Sequence, residues 1–199
     1  MKKKNKEKTM KFEYVITAET TIVLPNYNEN GFLHALIGNG EGFTKVELSP
    51  YDLMDINLRY RGSSLRGAMD GAEILVRGTM NPIVLDQEEI LIFFPSSSPL
   101  RKECVWFGLR HIVDSVALDK KLTQVNLSNG SAVSVNVSKR TFDKKLTKAY
   151  ELQYKIQERK KNFENLNMRL QSSYHLYIKE NGVNYETEDE KGGGRDAAI

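Results

Sequence analysis

Hydrophobic and polar positions change their period along this chain, and the changes mark its elements. Residues 1 to 11 have no apolar periodicity and predict a disordered basic arm. From Phe12 onward, short β-rich runs broken by turn residues predict strands over Phe12–Thr17, Thr20–Leu24, Phe32–Ile37 and Phe43–Leu48. Ser49-Pro50-Tyr51-Asp52 then joins a capping serine, a proline suited to a first helical turn and an acid placed for the helix dipole. It predicts a short helix to about Leu58. Strands resume over Ala72–Val76, Ile83–Leu85, Ile90–Phe94 and Val105–Val113.

The clearest local pattern is Thr123 to Val137, where Val125 and Leu127 face Val133, Val135 and Val137 across Ser128-Asn129-Gly130-Ser131. Asn-Gly there predicts a hairpin with a type I′ turn. After Val137 the period becomes helical, and Phe142, Leu146, Ala149, Leu152, Ile156, Phe163, Leu166 and Leu170 fall on one stripe. The opposite face carries Lys144, Lys145, Lys148, Lys155, Lys160 and Lys161. The class is α+β: a single β-rich antiparallel domain with a short inserted helix and a long C-terminal amphipathic helix packed on it. The folded domain is expected over 12–172, β-rich over 12–137 and helical over 138–172, followed by a polar acidic tail over 173–199.

A length of 199 residues suits one domain with appendages. The net charge of +3 hides a segmental distribution: residues 1 to 11 hold +5, 12 to 138 hold −5, 139 to 161 hold +6, and the last fourteen hold −3. Such separation of sign suits a polyanion partner. The longest apolar run, Ile90 to Phe94, is far too short to span a bilayer, and the lysine-rich start is not followed by an apolar signal core. No membrane association and no secretion are therefore expected. One cysteine, Cys104, with scattered His34, His111 and His175, makes neither an intramolecular disulfide nor a zinc pattern, so a reducing, cytoplasmic compartment and no metal are expected.

Candidate chemistry narrows the choice further. Gly38-Asn39-Gly40-Glu41-Gly42 lacks the Gly-Lys-Ser/Thr of a phosphate-binding loop and precedes a predicted strand, so it reads as a hairpin turn and implies no cofactor. Asp86, Glu88 and Glu89 sit in a turn between apolar strands, and no serine occupies a nucleophile elbow. Enzymatic activity is not expected. The densest candidate is Arg59-Tyr60-Arg61-Gly62-Ser63-Ser64-Leu65-Arg66-Gly67, whose guanidinium forks, hydroxyls and accessible amides suit phosphate oxygens. The same residues also suit a solvated loop whose arginines pair with carboxylates of an acidic body. Tyr174-His175-Leu176-Tyr177-Ile178 reads either as a last edge strand or as a linear motif for a partner.

Taken in order, these pieces resemble the ComK family of bacterial competence transcription factors. The resemblance is carried by Arg59-Tyr60-Arg61-Gly62-Ser63-Ser64, Asn81-Pro82-Ile83-Val84-Leu85-Asp86, Phe93-Phe94-Pro95-Ser96, Arg101 through Cys104 to Trp106, and Val125-Asn126-Leu127-Ser128-Asn129-Gly130. It implies a cytoplasmic activator of DNA-uptake genes that binds paired A/T-rich boxes of double-stranded DNA, mainly through the minor groove and as a homo-oligomer, and acts on RNA polymerase only indirectly. In the DNA-binding reading Arg59, Arg61 and Arg66 lie at the groove and Lys144, Lys145 and Lys148 on phosphates, with Ser63, Ser64, Lys139 and Arg140 as further DNA-binding residues. The resemblance also implies that an adaptor delivers the protein to a Clp protease through Tyr174, His175, Leu176, Tyr177 and Ile178, where His175 and Ile178 depart from the family's motif. Ala68-Met69 stands where family members can carry Arg-Lys. The alternative from another class is a β-rich protein-interaction regulator that has lost sequence-specific DNA binding.

Overall fold

Neighbouring residues along the central strands are buried on opposite sides of one sheet, and this organises the molecule. The computed structural model describes residues 14–169, 174–178 and 185–189, with side chains over 14–166. Strands β1 (Ile22–Tyr27), β2 (Leu33–Asn39), β3 (Gly42–Val46), β4 (Ile83–Asp86), β5 (Leu91–Pro95) and β6 (Trp106–Gly108) form a six-stranded sheet in the order β3-β2-β1-β6-β5-β4, with antiparallel pairing throughout. Val23, Phe93 and Trp106 enter one core, while their neighbours Ile22, Phe94 and Phe107 enter the other. With both faces covered, β5 is buried along its whole length, which is why it reads as an unbroken apolar run.

Helix α1 (Pro50–Tyr60) fills the first core with Leu53, Met54 and Leu58. Helix α3 (Lys139–Arg169) and a second sheet, β7 (Ile112–Asp119), β8 (Leu122–Leu127) and β9 (Ala132–Val135), fill the other. Phe142 of α3 meets Phe94 and Phe107 edge-on at centroid distances of 5.6 and 5.4 Å. The architecture is α+β, built from antiparallel sheets with a short inserted helix and a long C-terminal one. The chain divides into two units, Met1–Gln157 and Glu158–Ile199. In the second, β10 (Tyr174–Ile178) and β11 (Tyr185–Asp189) form an antiparallel pair, so the tail segment is a strand.

Several expectations are corrected. Ala72–Val76 is not a strand but belongs to a second inserted helix, α2 (Leu65–Leu75) and its C-cap, Val76. Leu65, Ala68 and Met69 of α2 pack on the first core, and Ala72, Leu75 and Val76 on the other, a helical spacing that Gly67 and Gly71 disguise. Tyr14–Thr17 forms no strand, because its main chain bonds a helix side chain instead: the Ile16 N–H donates to Asn57 Oδ1 at 2.8 Å, and Asn57 Nδ2 donates to the Tyr14 carbonyl at 3.1 Å. The predicted arm over 1–11, with Phe12, lies outside the described residues.

The Val105–Val113 run is broken by a 3-10 turn at Leu109–His111, after which the chain enters the second sheet. Gly108 makes this possible, since its N–H bonds the Thr21 carbonyl at 2.9 Å and a Cβ there would lie 2.8 Å from the Thr20 carbonyl oxygen. The predicted 123–137 hairpin forms, but its turn is not type I′. Only Gly130 has positive φ, at 80°, and the Gly130 N–H bonds Leu127 O while Leu127 N–H bonds Ser131 O. This is a type I turn closed by a glycine bulge.

Of the apolar stripe on α3, Phe142, Ala149 and Leu152 are fully buried and Leu146 and Ile156 partly so, whereas Phe163 and Leu166 are exposed and Leu170 lies outside the described residues.

Candidate nucleic-acid interface

The arginine-rich segment is the turn between α1 and α2, and its shape follows from three local devices. At the end of α1 the Ser63 N–H bonds Leu58 O at 2.9 Å and the Gly62 N–H bonds Arg59 O at 3.0 Å, a paired C-cap that needs the left-handed conformation Gly62 adopts at φ 78°. Ser64 then caps α2, its Oγ accepting the Gly67 N–H at 3.0 Å. Asp55 joins the two helices: Oδ1 accepts the Leu65 N–H at 2.8 Å and Oδ2 accepts Arg59 Nε at 2.6 Å. The turn is thus fixed by its own side chains, and Ser64 is engaged in holding it.

The three arginines separate into two kinds. Arg59 leaves 58 % of its side chain exposed beyond the Asp55 pair, whereas Arg61 leaves only 19 %. Arg61 turns inward, Nη2 donating to the Ile16 carbonyl at 2.8 Å, Nη1 to the Asn57 carbonyl at 3.2 Å, and Nε to Asp86 Oδ2 at 3.3 Å. The N–H of Glu89, then the Arg61 guanidinium, hold the Asp86 carboxyl below its ordinary pKa. Arg66 is exposed and makes no hydrogen bond or ion pair among the described residues, and Ser63 beside it is exposed. Tyr60 is exposed next to Arg59.

The lysines of α3 do not form the uniform outward face that their spacing suggested. Lys145 is only 8 % exposed, its Nζ 3.5 Å from the Ser97 carbonyl, and burial lowers its pKa. Lys148 donates to Asn81 Oδ1 at 3.1 Å, and Lys155 to the Leu75 carbonyl at 2.7 Å. Lys155 thus caps the end of α2, where a cation stabilises a helix C-terminus, and Lys148 holds the loop that follows it. Lys139 pairs with Asp143 at 2.6 Å. Arg140 and Lys144 stay exposed and unpaired among the described residues.

The two basic groups therefore lie toward opposite ends of α2, whose eleven residues span about 16 Å. The outward side of α2 between them carries exposed Asp70 and Glu73. Anionic side chains there disfavour laying that helix along a phosphate-lined groove. Among the described residues no three His, Cys, Asp or Glu side chains gather as a metal site, and no helix is long and apolar enough to cross a membrane.

Comparison with known proteins gives the class of this chain as a transcription factor. The family model described as ComK protein matches residues 11–161, and the chain belongs to that family. It is also 26% identical over 147 residues to the competence transcription factor of Bacillus subtilis (strain 168), covering 73% of this chain and 76% of that protein. No solved structure matches. The family match includes the α1–α2 turn and the basic start of α3, while β10 lies beyond it.

Proposed function

We propose that this chain is a transcriptional activator of competence genes that binds paired A/T-rich boxes of double-stranded DNA as a homo-oligomer. Membership of a transcription-factor family supports the regulatory part of this reading and gives no support to an enzymatic one. The observation that carries the DNA-binding part is the rigid turn presenting Arg59, Ser63 and Arg66 outward. A/T tracts narrow the minor groove and deepen its negative potential, which draws in guanidinium groups. Arg59 and Arg66 enter that groove, Ser63 bonds a neighbouring phosphate, and Lys139, Arg140 and Lys144 hold the backbone from α3. Arg61, Ser64, Lys145 and Lys148 act behind them by fixing the turn, the helix and its following loop.

Because minor-groove hydrogen-bond patterns are degenerate, specificity in this reading comes from groove width and from the spacing of two boxes. The protein's level is set by an adaptor of a Clp protease reading Tyr174 to Ile178, and RNA polymerase is reached only indirectly.

The test is fluorescence anisotropy of the full chain on a duplex with two A/T boxes and on a G/C-substituted control, over a salt series and with a minor-groove drug as competitor. Preferential, drug-sensitive binding that weakens steeply with salt is expected. Equal weak binding to both duplexes overturns the reading and favours a protein-interaction regulator.

A further inference from the structure

The connection between β5 and β6 meets the end of β9 around a cavity of about 300 Å³. Its wall is largely polar: Ser96, Ser97, Arg101 and Glu103 come from the connection, Ser134 from β9 and Asn136 from just beyond it. The volume lies at the small end of ligand cavities. The walls are set by main-chain bonds. The Ser96 N–H bonds the Val105 carbonyl at 2.8 Å and ties the two ends of the connection, while the Arg101 and Cys104 N–H groups bond the Ser98 and Arg101 carbonyls, each at 3.1 Å. Lys145 Nζ lies 3.5 Å from the Ser97 carbonyl. Among the described strands β9 pairs with β8 alone, so the main chain on its other edge has no ladder partner.

Three side chains in this wall have bonding capacity that no described residue uses. Ser96 is only 6% exposed, yet its hydroxyl bonds no described residue. Buried hydroxyls are as a rule hydrogen-bonded, so a partner for this one comes from what fills the cavity. Arg101 is exposed and makes no side-chain hydrogen bond or ion pair among the described residues. Glu103 accepts the Tyr27 hydroxyl through Oε1, and its Oε2 has no described partner. Arg101 and Glu103 thus place opposite charges on one cavity without an ion pair between them. A ligand that is only an anion meets the Glu103 carboxylate, and one that is only a cation meets the Arg101 guanidinium, so each is opposed by a like charge. A small molecule carrying both signs satisfies both walls.

We propose that this cavity binds a free α-amino acid, with its carboxylate on Arg101 and the Ser96 hydroxyl and its ammonium on Glu103. The guanidinium fork matches a carboxylate, and both contacts are charge-assisted. Ser97, Ser134 and Asn136 remain for the ligand's side chain and favour a polar one. The site stands apart from the surfaces in the DNA-binding reading, and its test is run without DNA.

The test is calorimetric titration of the full chain with each of the standard L-amino acids, and with acetate and methylammonium as probes carrying one charge only. At least one amino acid is expected to bind at one site per chain with a Kd below about 1 mM, and neither single-charge probe to bind in that range. Arg101→Gln and Glu103→Gln, both at exposed positions, keep the unfolding midpoint, and each weakens binding at least about tenfold. Lys102→Gln changes the charge one residue away, outside the cavity wall, and leaves affinity unchanged. The proposal is overturned if no amino acid binds, if acetate or methylammonium binds as tightly as the amino acid, or if either Arg101→Gln or Glu103→Gln retains wild-type affinity.

Discussion

The guanidinium of Arg61 reaches back 45 residues to donate to the main-chain carbonyl of Ile16 at 2.8 Å. Its Nε meets Asp86 at the end of β4, so one side chain ties the chain's first described segment, α1 and β4 together. Arg61→Ala leaves the Ile16 carbonyl and Asp86 without that cation and is expected to cost about 2–3 kcal/mol of stability. Arg66→Ala touches no described partner and leaves stability within about 0.5 kcal/mol, while weakening binding to the A/T duplex. Urea unfolding of both variants beside anisotropy separates the roles, and equal stability of the two would refute the division.

How much of this was legible in the sequence depended on whether a residue's role was local. Ser49, the apolar run of β5 and Asn129-Gly130 act through neighbours, and helix, strand and hairpin follow from them. Arg61 could not be told from Arg59 and Arg66 in sequence, because what separates them is Ile16 and Asp86, both distant. Lys145, Lys148 and Lys155 had the spacing of a solvated face, but their acceptors are distant in sequence: Ser97 after β5, Asn81 in the loop after α2, and Leu75 at the end of α2. Helix α2 itself was hidden by two glycines and a strand-like end; Ser64 followed by Leu65, Ala68, Met69 and Ala72 was the signal that would have found it.

Lys145 gives a prediction of opposite sign to its expected phosphate role. Burial favours its neutral form and lowers its pKa from the ordinary 10.5, so its unfavourable contribution shrinks as pH rises from the lowered value toward 10.5. Lys145→Met keeps the packed stem and removes the buried charge. The variant should be as stable as wild type or more so by about 1 kcal/mol, with unchanged DNA affinity, whereas Lys144→Ala lowers affinity. A loss of affinity in Lys145→Met equal to that of Lys144→Ala would return this residue to the interface.

Asp86 predicts the acid limb of stability. Its folded carboxyl sits below the ordinary value of 3.8, so the unfolded state takes up the proton first as pH falls. The contribution is complete above that value and disappears as pH drops through it to the lowered pKa. Asp86→Asn should therefore be less stable than wild type at pH 7, with the gap closing below about pH 4. Thermal unfolding from pH 7 to 3 measures it, and a gap that stays constant would show that the carboxylate's charge contributes nothing.

Gly108 tests the junction between the two sheets. A methyl group there meets the Thr20 carbonyl oxygen at 2.8 Å, and that carbonyl belongs to backbone held at the start of β1. Gly108→Ala is expected to cost about 1–3 kcal/mol. Gly40→Ala, at an open position in the β2–β3 turn, should cost less than about 0.5 kcal/mol. The comparison by denaturant midpoint fails if the two glycines tolerate alanine equally.

Arg140 and Lys144 are exposed at the start of α3 and unpaired among the described residues, and in the proposed complex each neutralises one phosphate. Each such contact releases counterions and adds about 0.9 to the slope of log affinity against log salt. Alanine at both positions should reduce that slope by nearly two per protomer and weaken binding to A/T and G/C duplexes alike, because phosphates carry no sequence information. Arg59→Ala with Arg66→Ala should instead erase the preference for the A/T duplex, since those guanidiniums read groove width. Anisotropy titrations from 50 to 200 mM salt on both duplexes distinguish these patterns. If the α3 pair altered sequence preference and the turn pair altered only the slope, the roles of the two surfaces would be exchanged.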